Sequence, residues 1–365
     1  MRTRIIFALV AAVTLAGCAG SGAGGPFPNP PGGGSTPTSL TSQEAAQAGA
    51  DSAMAEIERG SLDSSLFSGS VGVVLSSARV PMSVNPATGT CHNGVIKTVT
   101  VISPTETQYD VQVFYDLACT QLRRDTFSDV QMPNPSTENI TRTIKNYNNS
   151  GLLLSTRDAS FSVTGSPGNF SAVVTSSLFV GTETTPEQQS GHQLTVAPQN
   201  ATTWTIAGNG AAIDNIGVPS INESFGDAVI LQNTTATTDA SSDVTFAGTR
   251  NKTVYKGALG SLSLPASPPF TVSGGSQVGS GSLTGSIEFD SSDNLLNVSI
   301  NGTLVNGNLI TVTSSGSGAT IAINGTISSP GGTQLATFSV DRFGDGIITY
   351  ANGTQALIID WHVVK

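Results

Sequence analysis

Length, composition and charge narrow the possible roles of this chain. Its 365 residues carry 25 acidic and 15 basic side chains, a formal net charge of −10 at pH 7, which argues against binding to nucleic acid and against electrostatic attachment to anionic lipid. Charged residues make up only 11% of the sequence, less than half of the usual ~25%. Ser, Thr, Asn, Gln and Gly must therefore make the surface polar, as is common in secreted β-proteins.

The first 18 residues are organised like a secretory signal. Arg2 and Arg4 precede an apolar run from Ile5 to Leu15, which is shorter than the about 20 residues that a transmembrane helix needs. The run ends in Leu15-Ala16-Gly17-Cys18, which resembles the lipobox of bacterial lipoproteins. An ordinary secretory signal that happens to contain a cysteine is the alternative.

The resemblance to a lipobox implies an anchor and a location. It implies that residues 1–17 are removed as a signal peptide and that Cys18 becomes the N-terminus, carrying a diacylglyceryl thioether and an N-acyl chain such as palmitate. Two or more acyl chains hold a protein stably on a membrane. Because Ala19 follows the cysteine in place of Asp, the resemblance also implies the outer membrane of a two-membrane cell envelope.

A linker and one helix are predicted next. Residues 19–40 consist mainly of Gly, Pro, Ser and Thr and cannot bury enough apolar surface to become ordered, so 18–40 is predicted to be a disordered tether that reaches about 25–30 Å. The capping box Thr41-Ser42-Gln43-Glu44 and a terminal Gly60 predict a helix within 41–60, over residues 42–59. Its apolar face is thin and favours a lid or spacer over a core helix: Ala46, Ala50, Met54 and Ile57.

The cysteine count predicts one disulfide. With Cys18 lipidated, Cys91 and Cys119 remain as a pair in an oxidising compartment. Two β-rich runs, 95–102 and 108–117, flank a turn and predict a hairpin centred on Thr105. This register places Val95 opposite Tyr115, Val99 opposite Val111, and Cys91 opposite Cys119, at a spacing that a disulfide can bridge.

From about residue 90 the sequence alternates between apolar and polar residues in short runs, which indicates β-structure. The predicted fold is mostly β, an antiparallel meander forming a large curved sheet, sandwich or barrel with one short N-terminal helix. A Pro/Gly/Ser-rich segment at 264–281 suggests an N-terminal β region at 61–265 and a C-terminal meander at 266–365, or one continuous domain. Beyond the hairpin, the predicted strands lie at 151–164, 170–181, 192–197, 201–207, 226–232, 243–264 (at least two), 282–290, 294–304, 308–313, 319–328, 333–341, 345–350 and 355–364.

The triplet Asn-Gly-Thr occurs at 301–303, 324–326 and 352–354. Asn-Gly is typical of hairpin turns, although copies at bulges within strands are an alternative interpretation.

A search for reactive groups finds no catalytic or metal-binding motif. His92, His192 and His362 lack a second ligand at metal-binding spacing, and His362 is expected to face solvent. Acidic loops at 290–294 and 341–345 lack the spaced oxygen ligands of a calcium loop and are more simply turns. The sequence therefore predicts no metal site, no cofactor and no catalytic residue.

Three hypotheses about function follow. The first is a lipid-anchored protein of the cell envelope with a structural or interaction-mediating, non-catalytic role, held on the membrane through Cys18. The second is a carrier that binds an apolar ligand or lipid on a curved sheet. The third is an envelope hydrolase with an unrecognised site, which would require a deep pocket that collects a His, a carboxylate and a Ser.

Overall fold

The computed structural model describes residues 40–67, 89–166, 169–199, 203–214, 220–232, 243–259, 274–289 and 295–364. Pro37–Lys365 forms one compact unit. The lipobox, Cys18, Ala19 and nearly all of the linker lie outside the described residues, as does the acidic loop at 290–294. No helix in the described ranges is long and apolar enough to cross a membrane.

The described residues form one α-helix, α1, two short 3-10 helices at Val305–Gly307 and Gly318–Thr320, and an antiparallel meander of 18 strands, which confirms the predicted mostly-β class. Each strand pairs antiparallel with the next along the chain, from β1 with β2 to β17 with β18. The elements are α1 Ser42–Phe67, β1 Val95–Ser103, β2 Glu106–Phe114, β3 Leu122–Asn134, β4 Thr137–Tyr147, β5 Leu153–Ser166, β6 Asn169–Val180, β7 Gln188–Pro198, β8 Thr203–Asp214, β9 Ser220–Gln232, β10 Asp243–Leu259, β11 Gly274–Phe289, β12 Leu295–Thr303, β13 Leu309–Ser315, β14 Ala322–Ser328, β15 Gln334–Asp341, β16 Gly346–Tyr350, β17 Gln355–Ile359 and β18 His362–Val364.

Several strands differ from their predictions. The segment 243–264, expected to hold at least two strands, contributes the single long strand β10 in its described part. The segment 355–364 is divided into β17 and β18 by a turn at Asp360 and Trp361, both of which have positive φ. Strands β3 and β4 were not predicted, because charged residues interrupt their alternation.

Helix α1 is a core helix, so the predicted lid or spacer is wrong. It continues to Phe67 rather than ending at Arg59, and side chains on all of its sides are buried. It packs against strands β10, β11, β13, β14, β15 and β18. Small residues allow the sheet to approach closely, since Gly49 lies against the side chains of Ile310 and Ile327 and Gly60 lies against Phe289. The curved sheet therefore wraps around the helix.

The Asn-Gly-Thr triplets occupy two kinds of site. Gly353 lies in the β16–β17 turn with φ +81°, as the turn interpretation predicts. Gly325 instead lies within β14, directly opposite Phe338, and a Cβ atom there would come within 2.1 Å of the phenyl ring. The glycine at this position is required by cross-strand packing rather than by a turn.

Candidate functional site

The N-terminus of helix α1 is fixed by the predicted capping box. The Thr41 N–H donates to Glu44 Oε2 at 2.8 Å, and the Glu44 N–H donates to Thr41 Oγ1 at 3.2 Å. Lys256 of β10 adds an ion pair, with its Nζ 2.9 Å from Glu44 Oε1. The cap and the ion pair together fix where the helix enters the curved sheet.

Glu56 is the centre of a buried ionic cluster on the next turns of the helix. Its Oε2 atom lies 2.9 Å from Arg59 NH2 and 2.7 Å from Arg250 Nε, and its Oε1 atom contacts Lys252 Nζ. The Glu56, Arg250 and Lys252 side chains are at most 1% exposed. Burial by itself would raise the pKa of Glu56, but the charges of Lys252, Arg59 and Arg250 outweigh it and hold that pKa well below 4.5.

Arg157 of β5 is the centre of a second group of buried ion pairs. Its Nε donates to Asp360 Oδ2 at 2.7 Å, its NH2 donates to the Asp360 carbonyl at 2.7 Å, and its NH1 donates to Ser176 Oγ at 3.0 Å and to Glu58. Burial lowers the pKa of Arg157, yet Asp360 and Glu58 raise it above its usual value overall. One guanidinium therefore joins β5, helix α1 and the β17–β18 turn.

A third set of ion pairs lies beside Arg157 and joins β3 to the turns after β15 and β17. Arg123 NH2 lies 3.0 Å from Asp341 Oδ2 and 2.6 Å from Asp345 Oδ2. Arg124 NH2 lies 3.6 Å from Asp360 Oδ1. Both guanidinium groups also stack on the Phe343 ring. These contacts link strands that are far apart in sequence.

The loop at 341–345 has the geometry of a turn. Asp341 Oδ1 accepts hydrogen bonds from the N–H groups of Phe343 (2.8 Å) and Asp345 (3.0 Å), while its other carboxylate oxygen pairs with Arg123. Within the described ranges, no group of three or more His, Cys, Asp or Glu side chains is placed to hold a metal ion. This carboxylate is thus used in stabilising the turn and in ion pairing.

His192 of β7 contacts the C-terminal part of the helix. Its Nε2 atom lies 2.7 Å from Asp63 Oδ1, and Ser190 Oγ on the same strand lies 3.5 Å from Glu58 Oε1. Glu58, Ser190 and His192 border a cavity of about 30 Å³ that is also lined by Arg59 and Lys252. A space of this size holds a few water molecules. A His, a carboxylate and a Ser do meet here, but around a space far smaller than the roughly 300–1,000 Å³ of typical ligand pockets.

The other two histidines differ in their exposure to solvent. His92 is exposed in the bend before β1. His362, which was expected to face solvent, is only 1% exposed, with Nδ1 3.9 Å from Asp51 Oδ1. The prediction for His362 was wrong because the positive-φ turn at Asp360 and Trp361 interrupts the alternation on which it depended.

The β1–β2 hairpin is present, but its predicted register is wrong by two residues. Val99 lies opposite Tyr109 rather than Val111, and Val95 lies opposite Val113 rather than Tyr115. The turn is tighter than expected, since only Pro104 and Thr105 separate the two strands. Because side chains alternate with a period of two, this slip leaves each of them on its predicted face.

The predicted cysteine pair is brought together despite the change in register. Cys91 and Cys119 lie beyond the paired strands, with their sulfur atoms 2.06 Å apart and their Cα atoms 6.0 Å apart. The turn before Cys119 is held by Asp116, whose carboxylate accepts hydrogen bonds from the N–H groups of Ala118 and Gln121. The bond links the chain before β1 to the β2–β3 turn.

Removing this disulfide is expected to destabilise the protein. The bond closes a loop with a sequence separation of 28, and the chain-entropy model assigns such a loop about 3–4 kcal/mol. Urea unfolding of the double variant Cys91→Ser/Cys119→Ser should show that loss, and reductant should produce it in the unmodified protein. Identical midpoints with and without the bond would contradict this expectation.

The buried ion pairs were not predicted from the sequence, although charged residues at inward-facing strand positions indicated them. Arg250 and Lys252 have the same parity along β10 as the buried Phe246 and Val254, and Arg157 shares its parity along β5 with Phe161. A charged residue at an inward-facing strand position requires a buried partner. The buried charged residues between 51 and 63 of helix α1 supply these partners.

Comparison of the chain with protein-family models, with curated protein sequences and with solved structures gives no match.

Proposed function

We propose that this is a lipid-anchored protein of the bacterial cell envelope, attached through Cys18, with a non-catalytic role in which its outer surface contacts another macromolecule. The anchor rests on the resemblance of Leu15-Ala16-Gly17-Cys18 to a lipobox, and Ala19 favours the outer membrane. The following Gly/Pro/Ser-rich segment suits a tether, since it gives a folded domain room to reorient above the lipid headgroups.

The observation that carries the non-catalytic role is the position of helix α1. The concave side of a curved sheet is where a carrier would hold its ligand. Here the helix takes that place, and its residues Ala46, Ala50, Met54 and Ile57 are all fully buried. The remaining contact surface is the outer face and the edges of the sheet.

The same observation weakens the carrier alternative and the hydrolase alternative. An apolar ligand would have to displace a helix that is tied to the sheet through Glu56, Glu58 and Asp63. A hydrolase would need to admit its substrate to the cavity beside His192, which is far smaller than the roughly 300–1,000 Å³ of typical ligand pockets. No contact among the described residues specifically favours the carrier or the hydrolase.

The anchor can be tested by metabolic labelling. In a bacterial host given radioactive palmitate, the unmodified chain should be labelled and sediment with membranes, whereas Cys18→Ala should be unlabelled and appear in the soluble envelope fraction, because the thioether cannot form. The double variant Cys91→Ser/Cys119→Ser is the matched control and should keep its label. Equal labelling of Cys18→Ala and the unmodified chain would refute the anchor.

The non-carrier role has a separate test. Native mass spectrometry of the protein released from membranes in detergent should give the mass of the chain with its covalent lipid and nothing more. Copurification of a stoichiometric apolar molecule that is lost on denaturation would favour the carrier hypothesis instead.

A further inference from the structure

The outer face of strands β10 to β17 carries two regular rows of side chains. These eight strands are neighbours in chain order, and their register aligns one outward residue from each strand into a row. The first, here called the threonine row, is Thr249, Thr284, Asn301, Thr311, Thr326, Thr337, Thr349 and Gln355. The second lies two residues away along each strand and is Ala247, Ser286, Ser299, Thr313, Asn324, Ser339, Ile347 and Leu357.

The side chains of the threonine row are accessible to solvent. Thr311 is exposed, whereas Ile310 and Val312 on either side of it are buried. The same alternation places Thr326 of β14 and Thr337 of β15 on the outer face. Because adjacent strands lie about 4.8 Å apart, the threonine row presents a polar side chain at that interval across eight strands.

The two rows contain no charged and no aromatic side chain. The outer face of β2 to β5 is different, since Asp110, Asp125, Lys145 and Asp158 lie on it at the outward positions of adjacent strands. The lack of charge is thus a property of the β10–β17 face and does not extend over the whole outer surface.

This composition indicates the chemistry of a partner. A charged polymer would find no counter-charge in the two rows. Protein interfaces are enriched in Tyr, Trp, Phe, Met and Arg and depleted in Ser, and the two rows contain none of the five enriched types. Hydroxyl and amide groups both donate and accept hydrogen bonds, and the threonine methyl groups add apolar contact. An uncharged carbohydrate, which is itself rich in hydroxyl groups, is complementary to such a face.

The regular spacing indicates the shape of that carbohydrate. A linear β-linked polysaccharide is an extended ribbon, and its sugar rings follow one another at an interval close to the spacing of β-strands. Neighbouring strands rotate by about 20–25° relative to one another, so eight of them do not form a plane. A ribbon can follow this twist, whereas a flat crystalline surface cannot.

We propose that the threonine row binds an extended, neutral, β-linked polysaccharide, which lies across the strands and meets one polar side chain on each. The inference rests on the proposed function, since it identifies the contacted macromolecule. Each single contact is weak, because no aromatic ring of the two rows stacks on a sugar. The affinity comes from the many contacts that one polysaccharide chain makes at the same time.

Cosedimentation of the full-length protein with insoluble cellulose and with insoluble chitin tests the proposal, since both polymers are neutral and β-linked. The unmodified protein should sediment with at least one of them. The triple variant Thr311→Val/Thr326→Val/Thr337→Val removes three hydroxyl groups and keeps the shape of each side chain. It should bind at least about tenfold more weakly, as the loss of three hydrogen bonds implies. Failure of the unmodified protein to bind either polymer would overturn the proposal.

The matched control is Thr141→Val/Ser160→Ala/Thr175→Val, which removes three aligned hydroxyl groups from the outer face of β4, β5 and β6. It should bind as the unmodified protein does, and urea unfolding should show that both triple variants are folded. Serine in place of valine at the three positions of the threonine row restores the hydroxyl groups and should restore binding. Equal binding by the valine variant and the control would show that the threonine row is not the site.

Oligosaccharides of increasing length provide a second measurement. Their competition with the insoluble polymer should strengthen from the disaccharide up to about eight sugar units, because a longer chain reaches more of the eight strands. Competition that is already maximal with a disaccharide would show a local binding pocket and would contradict binding along the row.

The polysaccharide contact and the anchor can fail independently. If Cys18→Ala shows that the chain is not anchored, cosedimentation still decides whether the threonine row binds polysaccharide. If the chain is anchored and binds neither polymer, the polysaccharide contact is refuted while the proposed anchor stands.

Discussion

Replacing Glu56 by Gln is expected to lower the free energy of unfolding by about 3–5 kcal/mol, the usual cost of breaking a buried ion pair by removing one partner. The carboxylate is fully buried and contacts Arg59, Arg250 and Lys252. The glutamine amide has nearly the same shape as the carboxylate, so the substitution creates no cavity. It removes the negative charge that pairs with the three buried cations. Urea unfolding at pH 7 measures the loss.

The matched control for this variant is Glu44→Gln. Glu44 also pairs with a lysine of β10, but its side chain is 29% exposed, and a partly exposed pair contributes no more than about 1 kcal/mol. Losses of similar size in the two variants would show that the Glu56 cluster is no more shielded from water than the Glu44–Lys256 pair.

The pH dependence gives a second measurement on the same variant. Because the pKa of Glu56 in the folded state is lowered from 4.5, its stabilising contribution is fully present above that value and is lost as the pH falls below it. Stability of the unmodified protein should therefore fall more steeply on acidification than that of Glu56→Gln. Burial raises the pKa of Asp345, but that group is common to both proteins and cancels in the comparison.

Replacing Arg157 by Met should destabilise the protein by a similar amount, about 3–5 kcal/mol. Methionine fills much of the same space but donates no hydrogen bond, so Asp360 loses two contacts at 2.7 Å and Glu58 loses its guanidinium partner. Unlike the Glu56 cluster, this centre ties the β17–β18 turn to β5. Loss of the ion pairs should therefore also expose the C-terminal strands to proteolysis.

Arg342→Met provides the control for Arg157→Met. Arg342 lies in the partly exposed turn after β15 and stacks on Phe343, so a loss below about 1 kcal/mol is expected. A double-mutant cycle with Glu58→Gln should give a coupling energy of about 0.5–3 kcal/mol, as residues in one network do. Strict additivity would contradict a direct interaction between Arg157 and Glu58.

Local patterns of the sequence predicted much of the fold. The capping box at Thr41 and Glu44, the one-sided alternation of the C-terminal strands and the pairing of Cys91 with Cys119 all depend on residues near one another in sequence or on compartment chemistry. The end of helix α1 was missed because Gly60, which resembles a C-cap, is instead a close-packing position against Phe289.

The buried ionic cluster could not be assembled from local patterns. Glu58 and Arg157 are 99 residues apart, and Arg157 and Asp360 are 203 residues apart. Parity along the strands shows that Arg157, Arg250 and Lys252 face inward, but the identity of their partners depends on how the sheet curves around the helix. That curvature also decides that an Ala-rich helix with a thin apolar face is buried on all sides.

Helix α1 fills the inside of the curved sheet, and hydrogen exchange of its backbone amides tests this placement directly. Amides of residues 46–64 should exchange as slowly as those of β13–β15, because they can exchange only when the whole unit opens. Exchange of these amides within seconds under native conditions, with β13–β15 still protected, would show a helix that leaves the sheet and would contradict its placement in the core.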